Sequence, residues 1–255
     1  MPIKEIFPNS TVKEVVFQIR FPNLFSIESK IGELQSQIMK EFPESALLFQ
    51  KKFLIADVGS ASKIEDIKDL NTEPGYKIWQ FKSKKDFKLN VLSDSLTITS
   101  EYHKTYNLEG GDKFRDIIKF VVDNFLKITL IPSIKRIGLR YIDECPITRK
   151  NNQTFRSYYN TTFPLRRFNL VDAEKMSFET VVKKDKYNMR YVESLKREGG
   201  KYKLILDFDG FAKDVNSGDY LEVTDKLHEI ILKEYERSIK APVYRYMRRK
   251  RGRKK

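Results

Sequence analysis

The chain has 255 residues and a mass of 30.2 kDa, with 49 lysines and arginines against 35 acids, a formal net charge of +14 and a pI near 9.6. Hydrophobic residues make up 40% and aromatics 13%, enough to bury a core, which excludes disorder throughout. One cysteine and two histidines exclude an intramolecular disulfide, a multi-cysteine zinc site and a His-rich metal centre.

Taken in order, Glu14–Phe21 is rich in β-branched and aromatic residues and predicts a strand closed by Pro22. Ser26 is a candidate N-cap for a helix carrying Ile27, Ile31, Leu34, Ile38 and Phe42 at helical spacing, which Pro43 stops. A second strand region is expected over Ala46–Val58, then a polar connection over Gly59–Gly75. Tyr76–Phe81, Phe87–Leu92 and Leu96–Tyr102 predict an antiparallel meander with turns at Ser83–Asp86 and Ser93–Asp94. Lys113–Ile128 predicts a helix with Phe114, Ile117, Ile118, Val121 and Phe125 inward, and Ile134–Ile142 a strand. Residues 146–175 show no period and are expected to be mostly loop. Strands follow at Met176–Lys183, Tyr187–Leu195 and Lys201–Phe208, the last two joined by a Gly199-Gly200 hairpin turn. A final helix is expected from about Tyr220 to Lys240, ending at Pro242.

The expected fold is α+β, with antiparallel sheet and three long helices packed on one face. Two stretches echo each other. Leu96 precedes Gly111-Asp112 by 15 residues and Leu204 precedes Gly218-Asp219 by 14, each pair leading into an amphipathic helix. This suggests two related meander-plus-helix halves. The expected divisions are 1–145 for the first half, 146–175 for a polar and aromatic loop region, 176–243 for the second half and 244–255 for a disordered basic tail.

The charge is uneven. Eight of the fourteen excess positive charges lie in the last eleven residues, Arg245–Lys255, which hold no acid. Such a run binds polyanions by counterion release without reading sequence, or serves only as a solubilising terminus. No uncharged apolar run approaches the ~20 residues that span a bilayer, and Met1–Glu5 lacks a signal-peptide core. A cytoplasmic protein without membrane contact is expected.

Arg136-Ile-Gly-Leu-Arg-Tyr-Ile-Asp143, Val12-x-Glu14-Val15 leading to Ile19-x-Phe21, Tyr76-Lys-Ile-Trp-Gln-Phe81, and Leu227-His228-x-x-Ile231-x-x-x-Tyr235-Glu236-x-Ser238-Ile239 together resemble a sporadically distributed, uncharacterised prokaryotic protein family. The resemblance spans most of residues 8–240. It implies mobile or defence-associated genes and no established activity. Asp143 stands where the family pattern usually has Asn, Lys240 follows the Ser-Ile pair, and the long basic C-terminus is peculiar to this chain.

Strand alternation sets Arg136, Gly138, Arg140 and Ile142 on one face. Two guanidiniums beside a glycine leave room for a planar oxyanion, or they pair with Asp207 and Asp209, which share a face of a neighbouring strand. The same two acids are the residues a hydrated Mg²⁺ would use, with Glu179, Glu193 and Asp143 as further acids of unknown placement. Phe155–Tyr159, Leu165–Phe168 and Tyr187–Tyr191 interleave aromatics with arginines, as single-stranded nucleic-acid sites do. A lid with its rings packed on the sheet would look the same. His228 and Cys145 read as structural side chains. P-loop, dinucleotide, G-x-S-x-G and zincin motifs are absent.

The resulting expectation is a non-catalytic nucleic-acid-binding or nucleic-acid-associated accessory protein, for RNA or DNA, without a cofactor. Contacts are expected from Arg136, Arg140, Arg156, Arg166, Arg167, Arg245, Arg248, Arg249, Lys250, Arg251 and Arg253. The alternatives are a protein-interaction module, as partner or inhibitor of a toxin or nuclease encoded nearby, and a metal-dependent nuclease or phosphoesterase using Asp207 and Asp209.

Overall fold

The computed structural model describes residues 3–50, 76–147, 151–198 and 201–249. The first part of the chain gives β1 (Val12–Arg20), α1 (Ile27–Ile38), β2 (Glu44–Gln50), β3 (Tyr76–Lys82), β4 (Phe87–Val91), β5 (Ser95–Ser100) and α2 (Phe114–Ile128). The remainder gives β6 (Ser133–Cys145), α3 (Asn152–Tyr158), β7 (Lys175–Lys184), β8 (Tyr187–Glu198), β9 (Lys201–Asn216), α4 (Tyr220–Ser238) and α5 (Ala241–Arg248). The fold is α+β, with a nine-stranded antiparallel sheet ordered β2-β3-β4-β5-β1-β6-β9-β8-β7.

Strand alternation explains the layers. On β1, Val15, Phe17 and Ile19 are buried and lie across from Tyr141, Leu139 and Ile137 of β6. The same row continues into Gly210 and Phe208 of β9, across from Leu139 and Tyr141. Helix α4 presses Leu227 and Ile231 onto this row. A Cβ on Gly210 would meet Ile231 Cδ1 at 3.2 Å, so the glycine allows the helix its close approach. Helix α2 reaches the core through Phe125, whose ring lies 5.3 Å from that of Phe21, and α1 packs on α2. Fully buried Leu34, Ile38, Phe114 and Phe125 each contribute about 1.5–3 kcal/mol by leaving water. The alternate residues of the central strands, among them Gln18, Arg140 and Asp209, are half-buried.

The structure refines the expected elements at several points. First, residues 146–175, irregular over most of their described length, carry the short helix α3. Asn151 caps α3 by accepting from the Thr154 amide at 2.8 Å, and Phe155, Tyr159, Phe163, Leu165 and Leu170 are all in the core. A seven-residue helix shows too little period to read. Second, the last helix ends at Ser238, and α5 follows as a separate helix with Pro242 in its first turn, where a missing N–H is harmless. Val243 and Met247, one turn apart, are both buried, so the basic segment is helical through Arg248 where a disordered tail from 244 was expected. Third, Ser26 precedes α1 but makes no side-chain cap. Strand β9 also runs well past Phe208, to Asn216. The Gly199-Gly200 turn, residues 51–75 of the second strand region and its connection, and Lys250, Arg251 and Arg253 lie outside the described residues.

Candidate nucleic-acid interface

Arg136 and Arg140 project from β6, as alternation requires, and both are engaged. Arg136 Nη2 donates to Asp209 Oδ2 at 2.9 Å, and its guanidinium lies 4.8 Å from the Phe211 ring centre. It also covers Gly138, where a Cβ would come within 2.6 Å of Arg136 Nη1. The space above the glycine that an oxyanion would need is therefore filled by the chain's own cation. Arg140 donates to both oxygens of Asp207, at 2.8 and 2.7 Å, while Arg190 stands 3.5 Å from Asp207 and donates to Glu179 at 2.7 Å. Burial pushes the Asp209 carboxyl up, against the pull of Arg136 and Arg140. Asp207 lies opposite Ile142 in the register and Asp143 opposite Leu206, so Asp143 and Asp207 face opposite sides of the sheet. Among the described residues no group of three or more His, Cys, Asp or Glu is placed to hold a metal ion.

Arg156, Arg166 and Arg167 fare differently. All three are exposed, and none has an ion-pair partner among the described residues. They line an open groove of about 580 Å³ together with Lys240, and no acid lines it. The groove is held by a buried anchor. Glu193 on β8, 1% exposed, accepts from Thr161 Oγ1 and from the Thr162 amide and hydroxyl, at 2.5, 2.9 and 2.7 Å. Tyr159 bridges to Ile239, and Lys240 Nζ donates to the Arg156 carbonyl at 2.6 Å. Residues 80 positions apart are thereby fixed side by side.

The interleaved aromatics are mostly consumed by the core. Phe155, Tyr159, Phe163, Tyr187 and Tyr191 are each under 10% exposed. Phe168 remains 49% exposed beneath the Arg167 guanidinium, and Phe178 on β7 is 37% exposed. Both rings line a second hollow that shares Phe163, Pro164 and Arg167 with the groove and adds Lys175 and Asp172. Lys240, Lys175 and Phe178 carried no local signal, since only tertiary packing brings them to Arg167.

Arg245 on α5 and Arg249, just past its end, are exposed, and Arg248 pairs with Glu5 at 2.6 Å. Cys145 is buried and free, and burial pushes its thiol well up. His228 is half-buried. Its ring stacks on Tyr106 with centroids 4.3 Å apart, and its Nδ1 lies 3.3 Å from Tyr141 Oη. Tyr106 in turn donates to Asp225, which Arg115 clamps at 2.8 and 2.9 Å.

Around this stack lies a narrow cleft that sequence reasoning missed. It is bounded by the N-terminal segment, the 104–108 loop, β6 and α4, and has a volume of about 110 Å³. Asp143 lies in it, 3% exposed. One carboxylate oxygen accepts from Thr11 Oγ1 at 2.7 Å, and the Tyr235 hydroxyl lies 2.6 Å from the same Thr11 oxygen. Thr11 has one proton to give, so Tyr235 donates to Thr11 whenever Asp143 is ionised. Burial pushes the Asp143 carboxyl up to about 7.

No family model matches the chain, and neither a curated protein nor a solved structure matches it.

Proposed function

We propose that this chain is a non-catalytic nucleic-acid-binding protein that holds the phosphate backbone of a single strand in the Arg156–Lys240 groove. The observation that carries the reading is four cations around one open groove with no acid among them. Lysines and arginines with that surrounding gain from displacing the counterions of a polyanion. Phe168 and Phe178, in the adjoining hollow, supply ring faces for base stacking, worth about 1–3 kcal/mol per base. Arg245, Arg249 and the basic residues beyond them add sequence-independent attraction. Arg136 and Arg140 are assigned to the sheet rather than to the ligand, because each already holds a carboxylate.

Two architectural inferences accompany this reading: the three long helices share one face of the sheet, and the chain repeats a meander-plus-helix unit. Supporting the second, β1 pairs with β5 and β6 with β9, each meander leads into a long helix, and β1 joins β6 antiparallel.

Fluorescence anisotropy with labelled single- and double-stranded RNA and DNA over a salt series tests the function. The full chain and the Arg156→Ala/Arg166→Ala/Arg167→Ala variant are compared. The expected result is weaker binding by the variant and a salt slope shallower by about 2, near 0.7 per lost single-strand phosphate contact. Equal slopes and affinities would remove the groove from the interface. No binding by the full chain at ~50 mM salt would end the functional reading itself.

A further inference from the structure

The Asp143 cleft has no part in polyanion binding, and its chemistry is the opposite of the groove's. We propose that it is a binding site for a small primary ammonium with a short apolar body, whose charged end meets Asp143 and whose carbon chain lies against Leu108, Ile231 and Leu232. A carboxylate taken out of water is costly unless a cation or several donors accompany it. Asp143 accepts from the Thr11 hydroxyl, and the one cation whose charge is felt there is Lys104, among the described residues. Lys104, at the edge of the cleft, directs its ammonium to the carbonyls of Val12 and Glu101, at 2.8 and 2.7 Å. The rest of the polar lining is Glu5, Ser10, Thr105, Asn107 and aromatic side chains. Tyr106, Tyr141 and Tyr235 line the cleft with the acid, and aromatic faces attract organic cations without the donors that a phosphate or carboxylate would need.

The wall favours an apolar body. Besides the three side chains named, Ile3, Phe7 and Met247 close the cleft, and the first and last of these come from segments pinned over it. The Ile3 amide donates to Glu236, and the Asn9 amide to the Met247 carbonyl at 3.0 Å. At about 110 Å³ the space is somewhat smaller than an apolar cavity of about 150 Å³ that admits benzene. That sets the ligand at about five heavy atoms. An anion is disfavoured by the acid, and a purely apolar guest would leave the acid as it is now, desolvated with only the charge of Lys104 acting on it.

The test titrates the full chain with n-butylamine, 1-butanol and butyrate by NMR, following the Tyr106, Tyr141 and His228 ring signals. Expected is saturable binding of n-butylamine in the millimolar range or tighter, at least tenfold weaker binding of 1-butanol, and none of butyrate. Asp143→Asn keeps the shape and the Thr11 contact, and should weaken the amine at least tenfold while leaving 1-butanol unchanged. Leu108→Trp, which fills the cleft from a half-buried loop position, should abolish both, and it preserves the test should Asp143→Asn fail to fold. Equal affinity for amine and alcohol, undiminished amine binding by Asp143→Asn, or no response of the three rings to the amine would each overturn the proposal. Because neither variant touches the groove, RNA and DNA binding should be unchanged in both, which separates this result from that of the anisotropy experiment.

Discussion

Arg140 holds Asp207 with two parallel hydrogen bonds, 2.8 Å from Nε and 2.7 Å from Nη2. Asp207 is only 7% exposed, so this pair is part of the sheet's own stability. Arg140→Ala leaves the carboxylate with Arg190 alone, 3.5 Å away. Breaking a fully buried pair costs about 3–5 kcal/mol. The Arg140 side chain is 40% exposed, so screening reduces the expected loss to about 1–3 kcal/mol. Urea denaturation should show that loss, while polyanion affinity in the folded protein stays within about twofold. A tenfold drop in affinity with unchanged stability would return Arg140 to the interface.

Helix α5 makes the site of a C-terminal truncation decisive. Ending the chain after residue 249 removes five basic residues and Gly252, and the melting temperature should hold while the salt slope becomes shallower. Ending it after 244 deletes Met247, 2% exposed, and the Arg248–Glu5 pair. Losing a buried methionine costs about 2–5 kcal/mol. The midpoint of urea unfolding for the two truncations, measured side by side, checks this, and equal midpoints would mean that α5 contributes nothing.

His103 is 2% exposed among Phe87, Tyr102 and Phe114. Burial lowers it from 6.5 to about 4, and His228 is lowered likewise. A pKa depressed in the folded state means that the unfolded chain takes up protons first on acidification. The stability tied to the neutral rings is fully present above pH 6.5 and is lost as pH falls toward 4. His103→Gln should therefore lose less stability than the parent between pH 7 and pH 4, as read from urea midpoints at each pH. Parallel curves would sink the assignment.

Asp143 acts in the opposite sense. Its folded value of about 7 lies above the ordinary 3.8, so the folded state keeps the proton more tightly. The stability of the protonated form is fully present below pH 4 and lost as pH rises through 7. Asp143→Asn, which cannot ionise, should gain on the parent steadily from pH 4 to pH 8 in the same denaturation series. A constant difference across that range would show that Asp143 does not titrate there.

Local pattern was enough to read most of the elements, because burial of one face imposes a period that a single strand or long helix carries by itself. The rows Val15-Phe17-Ile19 and Leu227-Ile231-Tyr235 announce their elements without reference to any partner. Short or atypical pieces were illegible for the same reason. Helix α3 is too short to repeat, and α5 hides two core residues, Val243 and Met247, in a run that composition reads as solvated charge.

The sequence by itself determined the net charge, the α+β class, and the pairing chemistry available to Arg136, Arg140, Asp207 and Asp209. Only the tertiary structure decided which cations remain free. Arg136 and Arg140 were matched to acids more than sixty residues later because β6 and β9 lie side by side in one register. Arg156, Arg166 and Arg167 were left facing solvent beside the half-buried Lys240. The Asp143 cleft is of the same kind: Thr11, Asp143 and the α4 pair His228 and Tyr235 come from three distant parts of the chain, and a carboxyl's surroundings are set by what folds over it, which no local pattern records.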